Sequence, residues 1–134
     1  MVQRIIMKRI DQILSHPVFR EQFALLQEAE KDRIFCRHTM EHFLDVARLT
    51  YIYVLEEKIP VSREVVYGAG LLHDIGKDQQ YTGGIPHEQS SAQIAEQILP
   101  DCGFTLQEQE LILDLILCNL VLKPLASAPA SVLD

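Results

Sequence analysis

The stretch GAGLLHDIGKDQQY, residues 68–81, puts an imidazole beside a carboxylate at His73 and Asp74. Neighbours on a helix point about 100° apart, so this pair can face one ion only near a helix end. Gly76 is placed to loosen the backbone there, and Gly68, Ala69 and Gly70 would let the helix approach a neighbour closely. Imidazole nitrogen with carboxylate oxygen is a mixed donor set for a transition-type divalent ion. Alone, such a dipeptide is weak evidence. Upstream, RHTMEHFLDVARL sets His38 and His42 four apart, on one helix face. Downstream, His87 opens HEQSSAQIAEQIL. Four of the five histidines thus fall on three segments that can converge. An ion held by few protein groups keeps open positions for a phosphate oxygen and a water, whose pKa it lowers.

Cations that could offset charge on such a phosphate are Lys77, one turn beyond the pair, and Arg37, beside His38. Each reads equally well as an exposed cation near a helix end. Gln79, Gln80, Tyr81 and Gly83-Gly84 read as a substrate rim. Glu41 and Asp45, which flank His42, read as a solvated helix face, and His16, before Pro17, as a loop residue.

Apolar residues recur at helical spacing almost throughout. Ile6, Ile10, Ile13 and Leu14 form one stripe, and Phe19, Phe23, Leu26 and Ala29 a second. Phe43, Ala47, Thr50 and Val54 share a face of a long helix over 37–57. Ser62 is set to cap the helix through Val65, Val66, Ala69 and Leu72. Residues 82–86 read as a turn, 87–99 as a helix, and Thr105 with Glu108 as a capping box before a helix over 111–122. No strand pattern with a matching hairpin turn is present. The expectation is an all-α fold of about six helices, one domain over 1–134, with an irregular Ala-, Ser- and Pro-rich tail over 123–134.

The chain has 134 residues, 48% of them apolar, and a formal net charge of −7. An acidic surface argues against general nucleic-acid binding, which needs cations to replace phosphate counterions. Cys36, Cys102 and Cys118 form no Cys-x-x-Cys and read as reduced thiols of a cytoplasmic protein. Charges interrupt the N-terminal segment, so it is not a signal peptide, and 111–122 is too short to span a bilayer.

The ordered pattern resembles the HD superfamily of metal-dependent phosphohydrolases. It is carried by His42 in EHFLDVARL, by His73 and Asp74 in LLHDIGK, and by His87 in GIPHEQSSAQIA, over about residues 35–122. The resemblance implies an HD-domain-like helical bundle and a divalent ion, whether Mn, Fe, Zn, Mg, Ni or Co. In the family the first ligand stands four residues before an apolar residue such as Val46, which selects His42. His38 is then left to a supporting or phosphate-binding role beside His87 and Arg37. Asp74 would act both as a ligand and in orienting water. The family's closing aspartate corresponds in order to Asp134, after Ser131-Val132-Leu133, whereas Asp114 comes one element too early. Either Asp134 is the fourth ligand or the chain lacks the last family helix, in which case the uncovered apolar surface invites a homo-oligomer. The implied substrate is a phosphorylated small molecule, with nucleotides included, and the implied activity is hydrolysis by metal-activated water. The alternative is a non-catalytic HD-fold module that binds a metal or a phosphorylated ligand.

Overall fold

A computed structural model describes residues 7–34 and 37–117. Its helices are α1 (Lys8–Ser15), α2 (Pro17–Ala29), α3 (Met40–Glu56), α4 (Arg63–Leu72), α5 (Lys77–Gly83), α6 (His87–Ile98) and α7 (Leu106–Leu117). A single 3-10 turn, Leu99–Cys102, follows α6. No strand occurs among the described residues. The all-helical expectation holds, and the short α5 is added to the six helices read from the sequence. Residues 77–83 lack an apolar stripe long enough to announce a helix, and Gly84, at φ 70°, closes it in the left-handed conformation.

Local chemistry sets the helix starts. The Ser62 hydroxyl accepts from the Val65 N–H at 3.3 Å. Thr105 and Glu108 exchange two bonds of 2.9 and 3.1 Å as a capping box. His16, read as a loop residue, accepts from the Val18 N–H at 3.1 Å and so caps α2 ahead of Pro17. Thr39 does the same for α3, accepting from the His42 N–H at 3.2 Å.

From Val65 onward α4 is almost wholly buried, and α1, α3, α6 and α7 all pack on it. The predicted inner face of α3 is the observed one: Phe43, Ala47, Thr50 and Val54 are buried. Gly70 is where α3 and α4 come closest. A Cβ there would lie 2.7 Å from the Ala47 Cβ and 2.9 Å from its Cα. The cross-over therefore requires glycine on α4 and a small residue on α3. Cys102 is a buried free thiol, while Cys36, Cys118 and the tail over 123–134 lie outside the described residues. Among the described residues no helix is long and apolar enough to cross a membrane.

Candidate metal centre

Between α4 and α5 the chain makes a buried turn over residues 73–76, and α6 clamps it. The Gly76 N–H donates to the Ser91 hydroxyl at 2.9 Å, and the Ser90 hydroxyl donates back to the Gly76 carbonyl at 2.9 Å. A Cβ on Gly76 would fall 2.5 Å from the Ser90 Oγ, so the clamp closes only on glycine. The helix end thus lets two consecutive side chains, His73 and Asp74, face one place.

Three imidazoles meet the Asp74 carboxylate. Oδ2 lies 3.1 Å from His73 Nε2 and 3.3 Å from His38 Nε2, and Oδ1 lies 3.4 Å from His87 Nε2. The partners on the far side of each ring fix its tautomer. His73 Nδ1 is 2.7 Å from the Gly70 carbonyl, which can only accept, so Nδ1 carries the proton. His38 Nδ1 is 2.5 Å from Glu30 Oε2, again an acceptor. His87 Nδ1 is 3.0 Å from Gln80 Oε1, and the His87 N–H donates to that same oxygen at 3.2 Å, which fixes the amide's orientation. Each ring therefore turns its Nε2 toward the Asp74 carboxylate, and a ring protonated only at Nδ1 presents a lone pair there. His42 completes the cluster: ligand atoms of His38, His42 and Asp74 all lie within 4.8 Å of one another.

Lone pairs aimed at an anion repel one another unless a cation sits among them. A proton can play that part at one ring. Its hydrogen bond to Asp74 raises the His38 pKa, against the opposing effect of burial. Burial would raise the Asp74 pKa, yet the His38 and His73 rings hold it well below the usual carboxylate range. Burial, followed by the neighbouring His38, lowers the His42 pKa and so favours a neutral ring with a free lone pair. His73 Nε2 is buried without a hydrogen-bond partner. An orphaned imidazole nitrogen beside an ionised, buried carboxylate is the donor chemistry a divalent ion takes, so the residues present fit one.

The structure brings together five residues singled out in the sequence: His38, His42, His73, Asp74 and His87. Lys77 opens α5, half-buried, with its N–H donating to the Asp74 carbonyl at 3.0 Å. Arg37 is exposed in the segment that leads to α3. Asp134, and with it the question of a closing helix, lies outside the described residues.

Two residues read as a substrate rim also bond to the cluster. Exposed Gln80 holds His87, and the hydroxyl of half-buried Tyr81 donates to Glu30 at 2.7 Å. Sequence reasoning passed over Glu30, Ser90 and Ser91. Glu30 ends a surface-patterned helix but is only 1% exposed. Its partner His38 is eight residues away across a turn, a distance that no periodicity marks. Burial would raise its pKa, but bonds from the His38 N–H, the Tyr81 hydroxyl and the His38 ring bring it below the ordinary value.

The chain is similar to known proteins. An uncharacterized protein of Clostridium beijerinckii is 41% identical over 106 residues, covering 79% of this chain and 68% of its own. A bifunctional uridylyltransferase/uridylyl-removing enzyme of Cereibacter sphaeroides is 33% identical over 100 residues, 66% of this chain but only 10% of that enzyme. No solved structure gives a significant match. The profile of the HD domain family matches residues 39–133, which include His42, His73, Asp74 and His87. The chain belongs to the HD domain family.

Proposed function

We propose that this protein is a divalent-metal-dependent phosphohydrolase that cleaves a phosphate ester or a nucleotide phosphate. The observation that carries this reading is the convergence of three imidazole Nε2 atoms on Asp74, with His73 Nε2 buried and unpartnered. A set rich in imidazole with one carboxylate favours Mn, Fe, Co, Ni or Zn over Mg, which prefers oxygen donors.

His42, His73 and Asp74 would hold the ion, with Asp134 as a further carboxylate of the set, and an ion there would supply a Lewis acid for a phosphate oxygen and lower the pKa of a water bound to it. Asp74 is ionised and has a second oxygen that can accept a proton of the attacking water and orient it. His87, steadied by Gln80, stands at that second oxygen and is positioned to receive a phosphate oxygen. Lys77 and Arg37 offset the charge that develops on the phosphate.

The test is metal analysis followed by a substrate panel. Purified protein is expected to hold about one equivalent of a transition metal per chain. The panel takes phosphomonoesters, nucleoside mono-, di- and triphosphates and uridylyl esters, the last because one relative is named for uridylyl removal. Turnover should need added manganese and vanish in His73→Ala and Asp74→Ala. Protein that binds no metal under any condition sinks the reading. Protein that binds metal and turns over nothing is a binding module instead.

A further inference from the structure

The family match begins at residue 39, so everything α2 does for the centre comes from outside the shared domain. Its last turn grips His38 at every polar atom that faces away from Asp74. Glu30 Oε1 accepts from the His38 N–H at 2.6 Å, and Oε2 accepts from Nδ1–H at 2.5 Å. Gln27 Nε2 donates to the His38 carbonyl at 2.6 Å. The Tyr81 hydroxyl donates to Glu30 Oε2 at 2.7 Å, and the Arg33 guanidinium lies 4.5 Å over the Tyr81 ring. A carboxylate buried to 1% exposure makes three hydrogen bonds, two of them to one histidine. The outcome is a single ring orientation, with Nδ1 committed to Glu30 and Nε2 aimed into the cluster, 3.3 Å from Asp74 Oδ2.

We propose that His38 is an additional ligand to the cation held by the HD residues, and that Glu30 is the positioning residue that presents it. This rests on the metal-binding reading above. A carboxylate behind a ligating imidazole fixes the ring and raises its basicity, and losing such a partner typically weakens metal binding about 10- to 100-fold. Glu30 touches neither metal nor substrate, so its influence must pass through His38. Two predictions of coupling follow from that geometry. Removing Glu30 weakens binding, and removing it after His38 has gone does nothing more.

The experiment titrates demetallated full-length protein with Mn2+ by calorimetry and with Co2+ by visible absorption. It uses wild type, Glu30→Gln, His38→Ala and the double variant. Gln keeps the shape and one acceptor but removes the charge. Glu30→Gln should weaken Mn2+ binding about tenfold or more. His38→Ala should weaken it at least as far and shift the Co2+ absorption band, which reports coordination number and is unmoved by a loss of stability alone. The double variant should match His38→Ala in affinity within about twofold, the usual error of such cycles. Should Glu30→Gln not fold, His38→Ala decides alone, through the affinity and the Co2+ band together. An unchanged affinity and band in His38→Ala overturns the ligand role. Additive losses, or an unchanged affinity in folded Glu30→Gln, overturn the positioning role. Wild type that takes up neither ion overturns the metal-binding reading itself, a result distinct from both.

Discussion

Two clusters of charge lie in this molecule, and they are built to opposite rules. At the first, Arg9 joins α1 to α4 and α7. Its Nε and backbone N–H donate to the two oxygens of Glu64 at 2.8 and 3.0 Å, and its two terminal nitrogens donate to those of Glu108 at 2.6 and 3.0 Å. Its flat face lies 4.4 Å over the Phe104 ring. Every nitrogen of Arg9 there meets an acceptor. At the second, the Nε2 atoms of His38, His73 and His87 crowd one carboxylate, and His73 Nε2 has no hydrogen-bond partner. The Arg9 cluster is complete as it stands and holds three helices in register. On the metal-binding reading proposed above, the Asp74 cluster is completed by a cation, and a protein tolerates such a buried deficit where a ligand makes it good.

Replacing Asp74 breaks that comparison most sharply. Asp74→Asn keeps the shape but turns one oxygen into a donor that can satisfy a neighbouring imidazole. Metal affinity should fall at least about 100-fold. The roughly 2.7 kcal/mol of stabilisation that an ion gives at a hundred times its dissociation constant should disappear. In chelator, however, the variant should unfold within about 1 kcal/mol of wild type, because the amide keeps the shape and can still hydrogen-bond a neighbouring imidazole. Urea melts with and without Mn2+ read both quantities. If Asp74→Asn is strongly destabilised in chelator, the cluster is structural like that at Arg9, and the contrast is wrong.

What the sequence made legible follows the same division. The helix stripes, the caps at Ser62 and Thr105, and the His73-Asp74 turn at Gly76 are local patterns, and local patterns read directly. His42, His73, Asp74 and His87 were legible because a family pattern links them across gaps. Glu30 was not, because its burial depends on how α2 lies against the segment before α3. Nor were the bonds from Gln80 to His87 and from Tyr81 to Glu30, since α5 carries no stripe to orient it. The choice between His38 and His42 also needed three dimensions: α3 begins only at Met40, so His38 lies on the segment before the helix and does not share its face with His42, yet both reach Asp74.

Gly70→Ala sharpens the comparison through packing. The added Cβ would meet Ala47 at 2.7 Å, against backbone that cannot swing aside. Spreading α3 from α4 should cost about 1–3 kcal/mol. It should also weaken metal binding, since His42 rides on α3 and His73 follows α4. Ala47→Gly in the same chain should restore little, because the added Cβ would still meet the residue 47 Cα at 2.9 Å, and glycine adds backbone freedom on α3. A variant that loses stability but keeps its full metal affinity would mean that the helix spacing does not set the ligand spacing.

Arg9→Met is the converse probe. It keeps the apolar stem over Phe104 and removes the charge. With side chains about a quarter exposed, the network should be worth about 1–2 kcal/mol, above an isolated surface pair because both carboxylates converge on one guanidinium. Mn2+ affinity should not move. A loss of affinity here would show that the two clusters are coupled through α4.

The smallest effect is in the acid limb of stability. The Arg9 guanidinium, and after it the Thr105 N–H, bring the Glu108 carboxyl down to about 2 from an ordinary 4.5. Because its folded pKa lies below its unfolded one, Glu108 contributes its full stability above about pH 4.5 and loses it as pH falls toward 2. Solvent reaches this carboxylate, so screening reduces the contribution to less than about 1 kcal/mol. Glu30 and Asp74 also have depressed pKa values and steepen the same limb. The difference between wild type and Arg9→Met isolates the Arg9 share. Urea midpoints of the two proteins, measured in chelator from pH 7 to pH 2.5, should run parallel down to about pH 4.5 and then converge. Curves that stay parallel to the lowest pH would mean that the guanidinium does not hold that proton off, and that the Arg9 cluster stabilises the fold by packing on Phe104 alone.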